Sequence, residues 1–176
     1  MARRIVLLRA VNVGGAKLPM AELREVAEEL GATDVSTYIA SGNLLCTPPG
    51  DPQDFDRALE QAVEKRFGFF REVISRSADE LRASLDAFPF DVHEPKLCYL
   101  NPLTEAPTAE GIEALRAKDV GPDEWKIDGA EMWLRYADGM AGTKLTPALI
   151  KRCLGVHGTA RNLNTVRKLL ELAEAE

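Results

Sequence analysis

The order of strand-like and helix-like segments is the feature that most limits what this chain can fold into. Residues 5–8 (IVLL) form a continuous apolar run, which is typical of a central strand that is buried on both faces. The segments that follow are a helix pattern at residues 19–31, two strand patterns within residues 35–47, a helix pattern at residues 51–68 and a strand pattern at residues 69–77. This is the βαββαβ order of the ferredoxin-like plan.

The pattern restarts in the second half of the chain. In order, it predicts a strand at residues 96–103, a helix at residues 108–119, a hairpin around Asp128-Gly129 and a helix between residues 146 and 155. In place of a final strand, residues 159–176 carry an apolar stripe that predicts a terminal helix, with Asn162 as its N-cap.

We therefore predict an α+β protein with two ferredoxin-like (βαββα) halves in tandem and a C-terminal helix. Residues 1–88 form the first half, and residues 96–176 form the second, related half with the terminal helix. Residues 89–95 connect them, because prolines at both ends of this segment interrupt any regular element.

Composition excludes several classes of protein. The formal net charge of −6 disfavours nonspecific DNA binding, and no apolar run approaches the roughly 20 residues of a membrane span, so we expect no membrane partner. Arg9 interrupts the apolar start of the chain, which therefore predicts a first strand rather than an export signal. The three cysteines and two histidines are widely spaced, which favours free thiols in a reducing cytoplasm, no metal site and no cofactor.

The first candidate site is the segment RAVNVGGAKLPMAEL, residues 9–23. Its candidate ligand-binding residues are Arg9, Asn12, Gly14, Gly15 and Lys17. Adjacent glycine amides can form an anion-binding concavity, and the basic side chains and the following helix N-terminus add positive charge. The spacing matches neither a Walker loop nor a dinucleotide fingerprint. The alternative, which the sequence favours slightly, is a tight turn that needs flexible glycines.

Two further segments have similar polar character. Residues 136–147 combine glycines with Lys144 before a helix start, in a place that we interpret as equivalent to the first loop. Residues 157–165 contain Arg161, Asn162 and Asn164, and the planar guanidinium of Arg161 could anchor a carboxylate or phosphate. A solvated lysine loop and a structural hydrogen-bond network are the respective alternatives.

The SGN segment, residues 41–43, adds the last candidate ligand-binding residue, Asn43. Its residues tolerate left-handed backbone conformations, so we expect a tight hairpin there. On the second predicted hairpin, Trp125, Trp133 and Tyr136 could stack RNA bases, although aromatic residues on hairpins more often pack in a core or interface. No catalytic triad or carboxylate pair is recognisable, so the sequence assigns no reaction.

Four ordered blocks resemble a known family. They are LLRAVNVGGAKLPMAELREV, VSTYIASGNLLC, DGMAGTKLT and GTARNLNTVRKL, and together they extend from residue 7 to residue 169. They are similar to the bacterial domain of unknown function 1697 family, whose members typically read LLRGINVGG, TYIxSGN, GRSKLT and TTRNWNTV. This chain differs at Ala10, at Gly142-Thr143, at Ala160 and at Leu163. The resemblance implies a two-part α/β structure and no established activity, so no catalytic residue is carried over.

Two hypotheses for function follow. The first is a module that binds a small anionic ligand, a nucleotide or phosphorylated metabolite, with the three polar segments converging on it. The second is an RNA- or protein-interaction plait without catalysis. Self-association through the second hairpin or the terminal helix is a further alternative, and the sequence leaves the oligomeric state and the reaction open.

Overall fold

Two four-stranded antiparallel sheets and six α-helices make up the part of the chain that the structure describes, residues 2–175 of a computed structural model. The protein is therefore of the mixed α/β class that the alternation of sequence patterns predicted. The elements of the first sheet and their helices are β1 (Arg4–Leu8), α1 (Met20–Glu29), β2 (Thr33–Thr37), β3 (Asn43–Thr47), α2 (Pro52–Phe67), β4 (Val73–Ser77) and α3 (Ala78–Asp86). The remaining elements are β5 (Cys98–Leu100), α4 (Ala109–Arg116), β6 (Glu124–Asp128), β7 (Glu131–Arg135), α5 (Pro147–Leu154), β8 (Arg161–Asn162) and α6 (Leu163–Glu174).

The first sheet has the strand order β2-β3-β1-β4, which makes β1 a central strand. Val6 and Leu8 belong to a core cluster with side chains of α1 and α2, whereas Ile5 and Leu7 point to the opposite face and are also buried. Burial on both faces explains why this strand is a continuous apolar run instead of an alternating one.

Several helices begin with side-chain caps of the kinds that mark helix starts in a sequence. Asp51 accepts hydrogen bonds from the backbone N–H groups of the first turn of α2. Ser77 and Glu80 form the reciprocal bonds of a capping box at the start of α3. In contrast, α1 begins after Pro19, which provides no side-chain cap.

The second sheet has the order β6-β7-β5-β8. The prediction that a helix replaces its final strand was wrong in part, because the two residues of β8 pair with β5 before α6 begins. Leu100 lies opposite Arg161, and Tyr99 lies opposite Asn162. A two-residue strand of polar side chains carries no alternating apolar pattern, so only its partner strand defines it.

A glycine explains how α4 packs against α5. A Cβ atom at Gly111 would lie 3.0 Å from the Cys153 carbonyl oxygen and 3.2 Å from Leu154 Cα. The residue that weakens α4 as an isolated helix therefore permits the two helix backbones to approach closely.

The chain divides into two compact units. The first contains the residues up to Arg82 and those from Lys168 onwards, and the second contains Ala83–Arg167. The predicted connector, residues 89–95, belongs to the second of these units, and the domain boundaries proposed from the sequence stay a prediction.

Candidate functional site

Three loops of the first unit lie at the same end of the strands of its sheet, and we call this side of the sheet the edge. They are the glycine loop between β1 and α1 (residues 9–19), the hairpin loop between β2 and β3 (residues 38–42) and the aromatic loop between α2 and β4 (residues 68–72). Leu7 pairs with Asn43 and Leu8 pairs with Val73, so the end of β1 lies beside the starts of both neighbouring strands. Antiparallel pairing thus brings together loops that are distant in sequence.

Asn12 organises the glycine loop. Its side-chain amide donates to the carbonyl oxygens of Leu18 and Ala40, at 2.9 and 2.6 Å, and its Oδ1 accepts from the Leu18 N–H at 2.9 Å. Its backbone is left-handed (φ 57°), which asparagine tolerates better than most residues. Both amide hydrogens of Asn12 are engaged, so this candidate residue holds the loop in shape.

The hairpin loop is longer than the sequence predicted. Five residues, from Tyr38 to Gly42, separate β2 from β3, so the expectation of a tight hairpin was wrong. The buried amide of Asn43 donates to the Tyr38 carbonyl and to the Ser41 hydroxyl, both at 3.0 Å, and stabilises this wider turn. The turn requires glycine at position 42, because a Cβ atom there would lie only 2.6 Å from Val11 Cγ2.

Ile39, in the hairpin loop, has an unfavourable backbone conformation. Its φ of 50° lies in the left-handed region, where a β-branched side chain is a clear outlier. Such strain costs on the order of 1–3 kcal/mol and clusters at functional sites. The side chain is nevertheless 52% exposed, so core packing does not account for it.

Arginines connect the glycine loop to the aromatic loop. Arg9 forms an ion pair with Glu72, and Arg71 Nε donates to the Ala10 carbonyl at 3.1 Å. The Arg71 guanidinium also lies 5.1 Å from the centre of the Phe69 ring. The charge of Arg9 is therefore balanced within the protein, and its contribution to the edge is structural.

The tip of the glycine loop carries donors that the protein does not use. Gly14 and Gly15 are exposed, with φ of 59° and 85°. Within residues 2–175, the N–H groups of Val13, Gly14 and Gly15 have no acceptor, and the Lys17 ammonium has no hydrogen-bond or ion-pair partner. Three successive exposed amides beside a lysine form a local concentration of positive potential in an acidic protein.

Each of the three loops also exposes one apolar side chain. Val13 of the glycine loop is 58% exposed and Phe70 of the aromatic loop 44%, and Ile39 of the hairpin loop is the third. None of these three residues was among the candidates predicted from the sequence. The only sequence feature that indicated exposure of Phe70 was the Phe69-Phe70 pair at the start of a predicted strand. Successive side chains of a strand point to opposite faces, so one of two neighbouring residues points away from the core.

The glycine-rich segment of the second unit does not occupy the equivalent place. It follows β7, the third strand of its sheet, whereas the glycine loop follows the first strand of its own sheet. The interpretation of these two loops as equivalent was therefore wrong. Lys144 forms an ion pair with Asp119 at 3.3 Å, and Asp123 accepts hydrogen bonds from the Thr143 hydroxyl and the Ala137 N–H.

Arg161 is buried within the second unit. Its guanidinium donates to the Thr159 hydroxyl at 2.6 Å and to the Ala160 carbonyl at 3.0 Å, and burial lowers its pKa to about 10. Asn162 Oδ1 accepts from the Thr165 N–H at 2.9 Å, which confirms it as the N-cap of α6. Asn164 is exposed on the first turn of that helix.

The aromatic side chains of the second hairpin are not available for base stacking. Trp133 is buried, and its indole N–H donates to the Ser84 carbonyl at 2.8 Å. The buried Tyr136 ring packs edge-on against the Tyr99 ring, with 5.4 Å between the ring centres. Trp125 is partly buried, with the Arg116 guanidinium 5.9 Å from the ring centre. The core packing that the sequence favoured for these aromatic residues is therefore confirmed, and the alternative of an RNA-stacking platform is wrong, because the rings complete a core.

A buried acidic group lies in the core of the first unit. Asp56 on α2 accepts from the Ser75 hydroxyl at 2.7 Å, while its second carboxylate oxygen has no protein partner. Burial raises the pKa of Asp56 to about 6, against the lowering effects of the Ser75 hydrogen bond and of Arg57 and Arg4. Asp56 follows Phe55 directly and lies three residues before Leu59, and both of these apolar residues face the core. This spacing was the sequence signal that Asp56 is buried.

The three cysteines of the chain are free thiols. Cys46 and Cys98 are buried free thiols, and burial raises the pKa of Cys46 to about 12. Among residues 2–175, no group of three or more His, Cys, Asp or Glu side chains is arranged to hold a metal ion. The helices in this range are all too short or too polar to cross a membrane.

The chain belongs to the family described as protein of unknown function (DUF1697), whose model matches residues 1–133. The glycine, hairpin and aromatic loops all lie within the matched residues. A solved structure described as a conserved bacterial protein from Streptococcus pneumoniae is similar, with a TM-score of 0.73, 22% identity and 98% of each chain covered. This likeness concerns the fold alone. A comparison with curated proteins finds no match.

Proposed function

We propose that the glycine loop binds a small anionic ligand, such as a nucleotide or a phosphorylated metabolite. The observation that carries the proposal is the row of unused N–H groups at Val13, Gly14 and Gly15, beside the unpaired Lys17 ammonium. Successive exposed N–H groups are the donors of anion-binding nests, and they need no rearrangement to donate hydrogen bonds to an oxyanion.

The surrounding contacts support the same proposal. Asn12, Arg9 and Arg71 tie the glycine loop to itself and to the aromatic loop through contacts that use none of the free donors. Helix α1 begins at Met20, three residues after Lys17, and its first N–H groups lack a side-chain cap. A helix N-terminus carries partial positive charge, which adds to the potential at the loop.

The test is a titration of the ¹⁵N-labelled protein with inorganic phosphate and with adenosine monophosphate, followed by NMR. We expect the amide resonances of Val13, Gly14 and Gly15 to shift, and Lys17→Gln to weaken binding about tenfold because a charge-assisted contact is lost. Lys65→Gln, which removes an exposed lysine of α2, is the matched control and should bind as the wild type does. Unmoved loop amides at millimolar phosphate would refute the proposal.

Two of the residues that the sequence predicted to bind the ligand, Arg9 and Arg161, are unsuitable for this test. Arg9→Ala would remove the ion pair with Glu72, and Arg161→Ala would disturb a buried network. Both changes would therefore alter the stability of the protein as well as any affinity for a ligand. The candidate role of Lys144, Arg161, Asn162 and Asn164 stays a prediction. Lys144→Gln tests it, and an unchanged affinity for phosphate would contradict it.

A protein-interaction module without catalysis is the second candidate function. The exposure of Val13, Ile39 and Phe70 on neighbouring loops favours it over an RNA-binding module, because exposed apolar side chains mark contact surfaces. Affinity capture with wild type and with Ile39→Asn tests it. Equal recovery of any captured protein by both would count against this candidate.

We also propose that each unit is a ferredoxin-like plait and that the protein is cytoplasmic. The support for the first is that both sheets order their strands as second, third, first and fourth along the chain. The support for the second is the set of free cysteines. An experimental structure of the chain and fractionation of the native cells are the respective tests.

A further inference from the structure

We infer that the ligand of the glycine loop is an amphipathic anion, with its phosphate on the glycine loop and an apolar group on Val13, Ile39 and Phe70. This inference rests on the proposed anion site and names the chemical class of its ligand. An inorganic anion would use only the amides and Lys17, which leaves the three exposed apolar side chains without a role.

The three side chains belong to loops that are directly bonded to one another. The amide of Asn12, next to Val13, donates to the carbonyl of Ala40, next to Ile39, at 2.6 Å. Arg71, next to Phe70, donates to the carbonyl of Ala10 in the glycine loop at 3.1 Å. Hydrogen bonds from residues next to Val13 and Phe70, and to the residue next to Ile39, therefore join the three loops that carry the apolar side chains and the free donors.

Ile39 supplies the independent argument that the apolar surface is functional. Its backbone is in the left-handed region, where glycine or asparagine would relieve the strain, yet the position carries an exposed branched apolar side chain. Neither folding nor solubility favours that combination. Contact with an apolar group of a ligand does, because binding would remove the side chain from water.

Charge complementarity selects a small anion as the occupant. The donors exposed at this edge are amides and an ammonium group without an internal partner, whereas the carboxylate of Glu72 is paired with Arg9. The edge thus offers a positive end beside an apolar surface. A monoester of phosphate with an apolar substituent matches both parts.

The experiment compares methyl phosphate with phenyl phosphate on the full-length protein by calorimetry or NMR titration. The two probes share one head group and differ in apolar area. We expect phenyl phosphate to bind about tenfold more tightly than methyl phosphate, because the ring covers apolar surface. Adenosine monophosphate and hexyl phosphate extend the series and distinguish a base-carrying ligand from one with an aliphatic chain.

Two variants separate the apolar contacts from the anion site. Ile39→Asn keeps a residue that accepts the left-handed backbone, so the fold should be at least as stable while the tenfold advantage of phenyl phosphate is lost. Phe70→Ser should have the same effect, and neither variant should change the affinity for methyl phosphate. Lys17→Gln should weaken both probes equally.

The outcomes are distinct. Equal affinities for the two probes would overturn this inference and leave the anion site standing. No binding of either probe would overturn both proposals. If the wild type dimerises in sedimentation experiments and Ile39→Asn does not, the apolar side chains form an interface between copies of the chain, and the inference is refuted.

Discussion

The side-chain amide of Asn12 donates to the Ala40 carbonyl at 2.6 Å and joins two loops that are 28 residues apart in the chain. The same side chain closes the glycine loop through its two bonds to Leu18. One asparagine thus connects two of the sequence blocks that resemble the family pattern. The geometry of the candidate site depends on it, although its amide hydrogens are not available to a ligand.

Replacing Asn12 should loosen the edge of the first sheet. Asn12→Ala removes the three side-chain hydrogen bonds that compensate for the left-handed backbone at this position, so we expect a loss of about 1–3 kcal/mol in the free energy of unfolding. Urea denaturation measures it. Asn12→Gly is the control that relieves the backbone without restoring the bonds, and it should recover only part of the loss. Wild-type stability in both variants would contradict the structural role of this amide.

Gly42, the last residue of the hairpin loop, should be harder to replace than a glycine with open space around it. A Cβ at this position would lie 2.6 Å from Val11 Cγ2 and 3.1 Å from the Leu8 carbonyl oxygen, in addition to the strain of φ 87°. We expect Gly42→Ala to cost at least about 3 kcal/mol. Gly68→Ala is the matched control, since its φ is 80° with no atom within 4 Å, and it should cost only about 1–2 kcal/mol. If thermal or urea denaturation gave the same loss of unfolding free energy for both variants, neighbouring atoms would have moved to make room for the Cβ at position 42.

The contact between α4 and α5 should reverse the usual preference for alanine in a helix. Gly111→Ala raises helix propensity by about 1 kcal/mol, yet the new methyl group meets the backbone of Cys153 and Leu154. We expect net destabilisation by about 1–2 kcal/mol, because helix backbones yield less than side-chain ends. Ala114→Gly, at an exposed position of the same helix, measures the propensity effect alone. A stabilised Gly111→Ala protein would refute the close-packing explanation.

Asp56 should make stability depend on pH between about 4 and 6. Its pKa rises from 3.8 in the unfolded reference to about 6 in the folded protein, so the folded state binds the proton more tightly. Its contribution to stability is complete below the unfolded pKa and is lost as pH rises through the folded pKa. Two pKa units correspond to about 3 kcal/mol, mainly from burial.

Asp56→Asn provides the measurement for this prediction. The difference in unfolding free energy between variant and wild type should move in favour of the variant by about 2 kcal/mol between pH 4 and pH 7. Asp54→Asn, at an exposed position in the first turn of α2, is the control and should show no comparable change. A flat difference for Asp56→Asn would mean that the carboxylate is hydrated in the folded state.

Helix starts and central strands could be predicted because their causes are local. The apolar run of β1, the Asp51 cap and the Ser77–Glu80 capping box each depend on a few neighbouring residues. The candidate site was less predictable. Arg9 looked like a ligand-binding cation, but its charge is matched by Glu72, and Arg161 looked like an anchor, but it is buried.

The sequence by itself determined the class of the fold and the position of the glycine loop, because periodicity and turn chemistry act over short distances. Only the tertiary structure decided what the loop can do. It assigned the Asn12 amide to Leu18 and Ala40, left the amides of residues 13–15 and Lys17 unused, and gave Ile39 and Phe70 exposed positions nearby. The physical reason is that strand pairing, which joins residues far apart in sequence, settles which donors are satisfied and which remain for a ligand.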